Sequence, residues 1–191
     1  MLFRSALGES SGGANHSYDL VLARGGASRV YAAWSQLVGS TTEVYVRRSD
    51  DGGQTWGTIV NVTSNQSTTS VKPQLAVAPG ASDRVVVAYQ TVTGGVRDII
   101  VQVSTDSGAT FGSPSSALDS SGDSFHHAIA IRGTTVVVTW EKLDTGNLNR
   151  DVMSRASTNG GSSFGAERKI NTSTGTRFAG RPQVGDRKSV V

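Results

Sequence analysis

The chain contains no cysteine. That removes disulfides, thiolate metal sites and a cysteine nucleophile, and it leaves the question of secretion open. Prolines number only 4, aromatics make up 6% of the residues and charged residues 17%. No apolar run approaches the roughly 20 residues that a membrane-spanning helix needs, and no window carries the 3.6-residue periodicity of an amphipathic helix. No basic run interleaved with aromatics suggests a nucleic-acid surface. What is abundant is glycine, 23 in all, with serine, threonine and short valine-rich runs between them. That balance predicts an all-β chain.

One eight-residue stretch organises the rest. Ser49-Asp50-Asp51-Gly52-Gly53-Gln54-Thr55-Trp56 reads as a tight corner between two strands. Asp51 can accept hydrogen bonds from the amides of its own turn, Gly52 and Gly53 supply positive φ, Thr55 adds a hydroxyl and Trp56 an apolar anchor. The corner recurs as Ser104-Thr105-Asp106-Ser107-Gly108-Ala109-Thr110-Phe111, 55 residues on, and as Ser157-Thr158-Asn159-Gly160-Gly161-Ser162-Ser163-Phe164, 53 after that. The segments between corners repeat too. Val30 to Trp34 aligns with Val85 to Tyr89 and Val136 to Trp140, and aromatic to corner position spans 17, 17 and 19 residues. A fixed period of this length means one supersecondary unit reused.

The pattern Ser-x-Asp-x-Gly-x-Thr-Trp/Phe resembles the Asp-box, or bacterial neuraminidase repeat, of the sialidase superfamily. Ser49, Asp51, Gly53, Thr55 and Trp56 fit it, as do Ser104, Asp106, Gly108, Thr110 and Phe111. In the third copy Ser157, Gly161 and Phe164 fit, while Asn159 replaces the acid and Ser163 the threonine. The resemblance implies a β-propeller of four-stranded antiparallel blades, here about three in an open arc, with an extracellular or cell-surface location. It implies that the boxes are structural turns on the rim, away from any sugar site. For complete enzymes of the family it implies exo-α-sialidase activity, through an arginine triad and a Tyr/Glu pair.

The ends need separate treatment. Met1-Leu2-Phe3-Arg4-Ser5 and Asp186-Arg187-Lys188-Ser189-Val190-Val191 both look like translated sequencing-library adapters, as expected of a metagenomic insert, so residues 6–185 are taken as the propeller fragment. The formal charge of +3 arises from 18 basic and 15 acidic residues. Without Arg4, Arg187, Lys188 and Asp186 it becomes +1, from 15 basic and 14 acidic. Units are expected at about 18–63, 73–118 and 127–171, with a weak outer strand at Ser115 to Leu118 in the second. Arg181-Pro182-Gln183-Val184 repeats Lys72-Pro73-Gln74-Leu75 and so starts a fourth. Propellers close with about four to eight blades. An arc of three therefore leaves blade faces uncovered, at on the order of 10 kcal/mol for a face of several hundred Å², and is expected to be aggregation-prone alone.

Several stretches imitate chemistry. Gly161-Ser162-Ser163-Phe164-Gly165 matches a nucleophile elbow, but it falls on a hairpin corner and not on a strand-to-helix turn. Asp50-Asp51-Gly52-Gly53 lacks the acid at the twelfth position of a calcium loop, where Asn61 stands. Adjacent strand residues His126 and His127 point to opposite faces and cannot chelate one ion. Asn61-Val62-Thr63, Asn65-Gln66-Ser67 and Asn171-Thr172-Ser173 fit glycosylation sequons. Features common to every unit, such as Glu43, Asp98 and Asp151 at the third strand, read as structural, as do the recurrent Arg97 and Arg150.

Departures from the repeat are the candidates for ligand contact. They are Glu141, against Ser35 and Gln90, and His126-His127, against Lys72-Pro73. With Arg177 and Arg181 they fall on connections at the blade ends opposite the corners. No Phe/Tyr-Arg-Ile-Pro string occurs, so no catalytic residue is carried over from the family, and no metal or cofactor is implied. The sequence therefore reads as part of a binding or scaffold propeller, with a glycan or cell-surface ligand and the remaining blades of its own chain as partners. The alternative is an exo-α-sialidase-like hydrolase whose catalytic residues lie in other blades.

Overall fold

The structure, a computed structural model, describes residues 16–64, 68–119, 122–143 and 150–172. The adapter-like ends, the start of a fourth unit, Arg177, Arg181 and the Asn65 sequon lie outside the described residues. Every described element is a β-strand. Blade 1 contains β1 (Ser17–Arg24), β2 (Val30–Val38), β3 (Thr41–Ser49) and β4 (Ile59–Asn61), antiparallel in chain order. Blade 2 contains β5 (Thr69–Ala78), β6 (Arg84–Thr93) and β7 (Val96–Ser104). Blade 3 contains β8 (Asp123–Arg132), β9 (Thr135–Leu143), β10 (Arg150–Ser157) and β11 (Arg168–Lys169), in the same order. The fold is all-β, a partial propeller. Short connections force this meander, as where Gly94 and Gly95, both at positive φ, close the β6–β7 hairpin.

The blades stack face to face. Ala33, Val44 and Val46 of blade 1 pack with Val87 and Tyr89 of blade 2. Val86, Ala88, Ile99 and Val101 on the other face of blade 2 pack with Ile129, Val138 and Trp140 of blade 3. Strand β6 is thus buried on both sides, which is why Val85 through Tyr89 are apolar at successive positions. Truncating the fully buried Trp140 to alanine would cost about 3–5 kcal/mol.

Two features depart from the sequence expectation. First, the inner strands begin earlier than Pro73 and His127. Each contains a bulge, between Tyr18 and Val21, Val71 and Gln74, and Phe125 and Ala128. The bulge places Asp19, Lys72 and His126 at positive φ. A left-handed non-glycine residue costs about 1–3 kcal/mol, and it lets pairing resume beyond the bulge. Second, the fourth position of blade 2 is held by an extended segment and not by a ladder strand. The Gly112, Ser115 and Leu118 amides donate to the Val103, Val101 and Ile99 carbonyls, so three residues of the segment advance for two of β7. Pro114 stands where Ile59 pairs in blade 1. It has no N–H to offer, and the extra residue absorbs the slip.

Candidate functional site

At one end of the blades lie the corners. Ser49 Oγ donates to Asp51 Oδ1 at 2.7 Å and accepts the Gly53 amide at 2.8 Å. The Thr55 amide and hydroxyl donate to the Asp51 carboxylate at 2.8 and 2.6 Å. Ser104, Asp106, Gly108 and Thr110 repeat the arrangement. The Thr55 hydroxyl and amide, then Ser49, hold the Asp51 carboxyl far below the usual carboxylate range. Thr110 and Ser104 bring Asp106 to about 2. The third corner closes with its polarity altered. The Ser157 hydroxyl and the Ser163 amide donate to Asn159 Oδ1, and Asn159 Nδ2 donates to Ser163 Oγ at 2.8 Å.

The corners also serve the contacts between blades. A Cβ built on Gly161 would meet Val103 Cγ2 of blade 2 at 2.8 Å, so that glycine is needed for close approach as well as for φ. Phe111 and Phe164 pack against the two interblade cores, whereas Trp56 is half-buried on blade 1. Two open grooves, of about 540 and 370 Å³, flank Phe111 and Pro114 at this end. Neither contains any residue of the histidine–glutamate group described next.

At the opposite end the side chains differ from blade to blade. Glu141, almost fully buried, accepts from Arg150 Nη1 at 3.1 Å and lies 3.1 Å from His126 Nδ1. The Phe125 ring lies under two guanidinium groups, Arg97 at 4.5 Å and Arg150 at 4.7 Å, a favourable cation–π arrangement. Arg97 crosses from blade 2 to pair with Asp123 of blade 3. Behind this group, Lys142 Nζ bridges Asp119 at 2.8 Å and Glu167 at 2.9 Å. Burial would lower its pKa, but the two carboxylates outweigh burial and raise it. Burial, then Asp119 and Asp123, push Asp98 up.

His127 points elsewhere. It is 7% exposed, and its Nε2 lies 3.2 Å from the Ala88 carbonyl of blade 2. Burial, first, lowers its pKa to about 4, so it is neutral at physiological pH. The two histidines therefore diverge, by way of the bulge and not of simple strand alternation. The position of Glu141 also has a repeat meaning. Ser35 Oγ accepts the Lys72 amide of the next blade, and Gln90 Nε2 donates to the Ser124 carbonyl of the next blade. Glu141 is third in that series and bonds within its own blade.

Sequence reasoning missed Asp83. Its side chain is fully buried and accepts from the Gly26 amide at 3.1 Å, the Gly80 amide at 3.0 Å and the Tyr31 hydroxyl at 2.8 Å. Arg29 Nη1 lies at 3.0 Å. Burial alone would raise the Asp83 pKa. The Gly80 amide, Tyr31, Arg29 and the Gly26 amide together lower it, while burial and Asp83 push Tyr31 up to about 12. The signal was available in the repeat, since Ser28 and Thr134 occupy the matching positions. Two sequon asparagines are committed to structure: Asn61 donates to Glu43 and Tyr45, and Asn171 Oδ1 accepts the Val152 amide. Among the described residues no group of three or more His, Asp or Glu side chains is placed to hold a metal ion, and no helix is long and apolar enough to cross a membrane.

No family model matches the chain, and no curated protein matches it. Among solved structures it is similar to the Hadza microbial sialidase Hz136, at 15% identity and a TM-score of 0.49 over 78% of this chain and 33% of that one. It is also similar to a GH43 endo-arabinanase from Bacillus licheniformis, at 10% identity and a TM-score of 0.49 over 83% of this chain and 61% of that one. A third is a NanB sialidase variant from Streptococcus pneumoniae, at 16% identity and a TM-score of 0.47 over 72% and 20%. The chain thus spans less than two thirds of the length of each.

Proposed function

We propose that this chain is part of an extracellular Asp-box repeat propeller that acts as a binding or scaffold module, recognising a glycan at the blade ends opposite the corners. The observation that carries this reading is the gathering at that end of the unit-specific His126 and Glu141 with the recurrent Arg150, beside a Phe125 ring that Arg97 also covers. An aromatic ring with a few convergent polar groups is the usual composition of a small-ligand site. The corners, by contrast, spend their polar atoms on themselves and fit a purely architectural role. Further blades of the parent chain would complete the site.

The test is a glycan array probed with the purified chain, followed by titration of each hit against His126→Asn. Asparagine tolerates the left-handed backbone, so the substitution leaves the bulge intact. Expected is selective binding to a glycan class, weakened about tenfold in the variant, or ~1.4 kcal/mol. Absence of binding to any glycan would refute the reading. Release of sialic acid from a fluorogenic sialoside would replace it with the hydrolase alternative.

A further inference from the structure

The third corner differs from the other two in holding an amide where they hold an acid. Of the 7 asparagines in the chain, only Asn159 precedes a glycine. Asparagine is thermolabile, and most so before glycine, where no Cβ hinders the next nitrogen from approaching the side-chain carbon. In that reaction the Gly160 nitrogen gives up its proton and bonds to Asn159 Cγ. The Cγ–Nδ2 bond breaks, and ammonia leaves with that proton. Water then opens the cyclic imide at one of its two carbonyls, leaving an aspartyl or an isoaspartyl residue.

In the folded chain both reacting groups are held. Asn159 Oδ1 accepts the Ser157 hydroxyl at 2.8 Å and the Ser163 amide at 3.0 Å, and Nδ2 donates to Ser163 Oγ at 2.8 Å. The Gly160 amide donates to the Thr134 carbonyl at 2.7 Å. The equivalent Gly52 and Ser107 amides donate to the Ser28 and Asp83 carbonyls, so this bond belongs to the repeat. Arg84 of blade 2 closes over the same residue. Its Nη1 lies 3.4 Å from the Gly160 carbonyl, and a Cβ built on Gly160 would meet the guanidinium at 2.7 Å. Gly160 is buried although Asn159 is exposed. Cyclisation therefore requires the corner to lift from the β8–β9 turn and from blade 2.

We infer that Asn159 is a deamidation site gated by opening of the third corner. Closed, the corner keeps the Gly160 nitrogen and the Asn159 side-chain carbon apart. Open, it releases an Asn-Gly pair as reactive as in a free peptide. The aspartyl product suits the corner, because its carboxylate can take the Ser157 hydroxyl and the Ser163 amide as Asp106 takes the Ser104 hydroxyl and the Thr110 amide. The isoaspartyl product does not. Its main chain gains a methylene and its free carboxylate hangs directly from Cα, so the reach to the Ser163 amide is lost. The inference rests on the corner and is independent of any glycan.

Peptide mapping by mass spectrometry tests it, on the full chain kept at mildly alkaline pH, either folded in buffer or unfolded in guanidinium chloride. Expected is conversion of Asn159 to acid in both, at least about tenfold slower in the folded chain, the protection that an opening free energy of ~1.4 kcal/mol gives. Ser163→Ala removes the partner of Asn159 Nδ2 at an exposed position. It should speed conversion in the folded chain and leave the unfolded rate unchanged. Should that variant not fold, the ratio measured on the parent chain still decides. No conversion in guanidinium chloride, equal rates in the folded and unfolded chain, or a folded Ser163→Ala chain as protected as the parent would each overturn the inference.

Discussion

The two interfaces between blades share one backbone geometry and use different chemistry. Between blades 1 and 2 the main polar tie is at the corner end, where buried Asp83 gathers two glycine amides, Tyr31 and Arg29. Between blades 2 and 3 one tie lies at the corner end, from Arg84 to the Gly160 carbonyl, and three lie at the opposite end, through His127 to the Ala88 carbonyl, Gln90 to the Ser124 carbonyl and Arg97 to Asp123. The repeat fixes how sheets stack, and it leaves open which polar groups hold a given pair together. Apolar packing supplies the common part, and each interface has solved its desolvation problem separately.

The largest test of that contrast is Asp83→Ala. The substitution strands the Tyr31 hydroxyl and the Gly26 and Gly80 amides, at about 1–3 kcal/mol for each buried group left unpaired, so the urea midpoint should fall sharply, and hydrogen exchange should quicken first in blade 1. An unchanged midpoint would mean that the carboxylate contributes nothing to this interface. Acid provides the next test. His127 titrates near 4 in the folded chain against an ordinary 6.5. Its contribution is therefore full above about pH 6.5 and is lost as pH falls through 4, on the order of 3 kcal/mol. Asp83 is lowered from 3.8, so its contribution is lost only below the ordinary carboxylate range. Exchange measured from pH 7 to 4 should loosen the blade 2–3 interface first, and His127→Pro, the blade 2 residue, should abolish that sensitivity.

Smaller effects belong to the corners. Ser49→Ala strands the Gly53 amide and should cost about 1–2 kcal/mol, measurable as a lower melting temperature. Asn159→Asp with Ser163→Thr gives the third corner the charged acceptor of the first two. A gain of about 0.5–1 kcal/mol is expected from charge-assisted hydrogen bonds, together with a new loss of stability at low pH. A variant that melts earlier would show that the asparagine corner is already the better fit for blade 3.

What could be read from the sequence follows the range of the interactions. The corners were legible because Asp51 and Thr55, or Ser49 and Gly53, are four residues apart and bond to each other. Asp83 was not, because Gly26 and Tyr31 are 57 and 52 residues away. The bulges were hidden because Lys72 does not announce a left-handed backbone, and the preference of Asp19 and His126 for it is too weak to mark a bulge inside a strand. Arg97 and Arg150 recur, and were read as structural on that ground. In the folded chain both lie on Phe125, so recurrence along the sequence did not separate them from the candidate site.

The self-contained corners have a consequence for the order of folding. A loop closing over four residues forms in well under a microsecond to a few microseconds, whereas a contact across fifty or more must first overcome the entropy of a long closure. Each corner can therefore nucleate its own hairpin before neighbouring sheets meet, and the rate-limiting event becomes the docking of preformed sheets. Substitutions in the corners should then slow folding, and substitutions at Asp83 or His127 should mainly hasten unfolding.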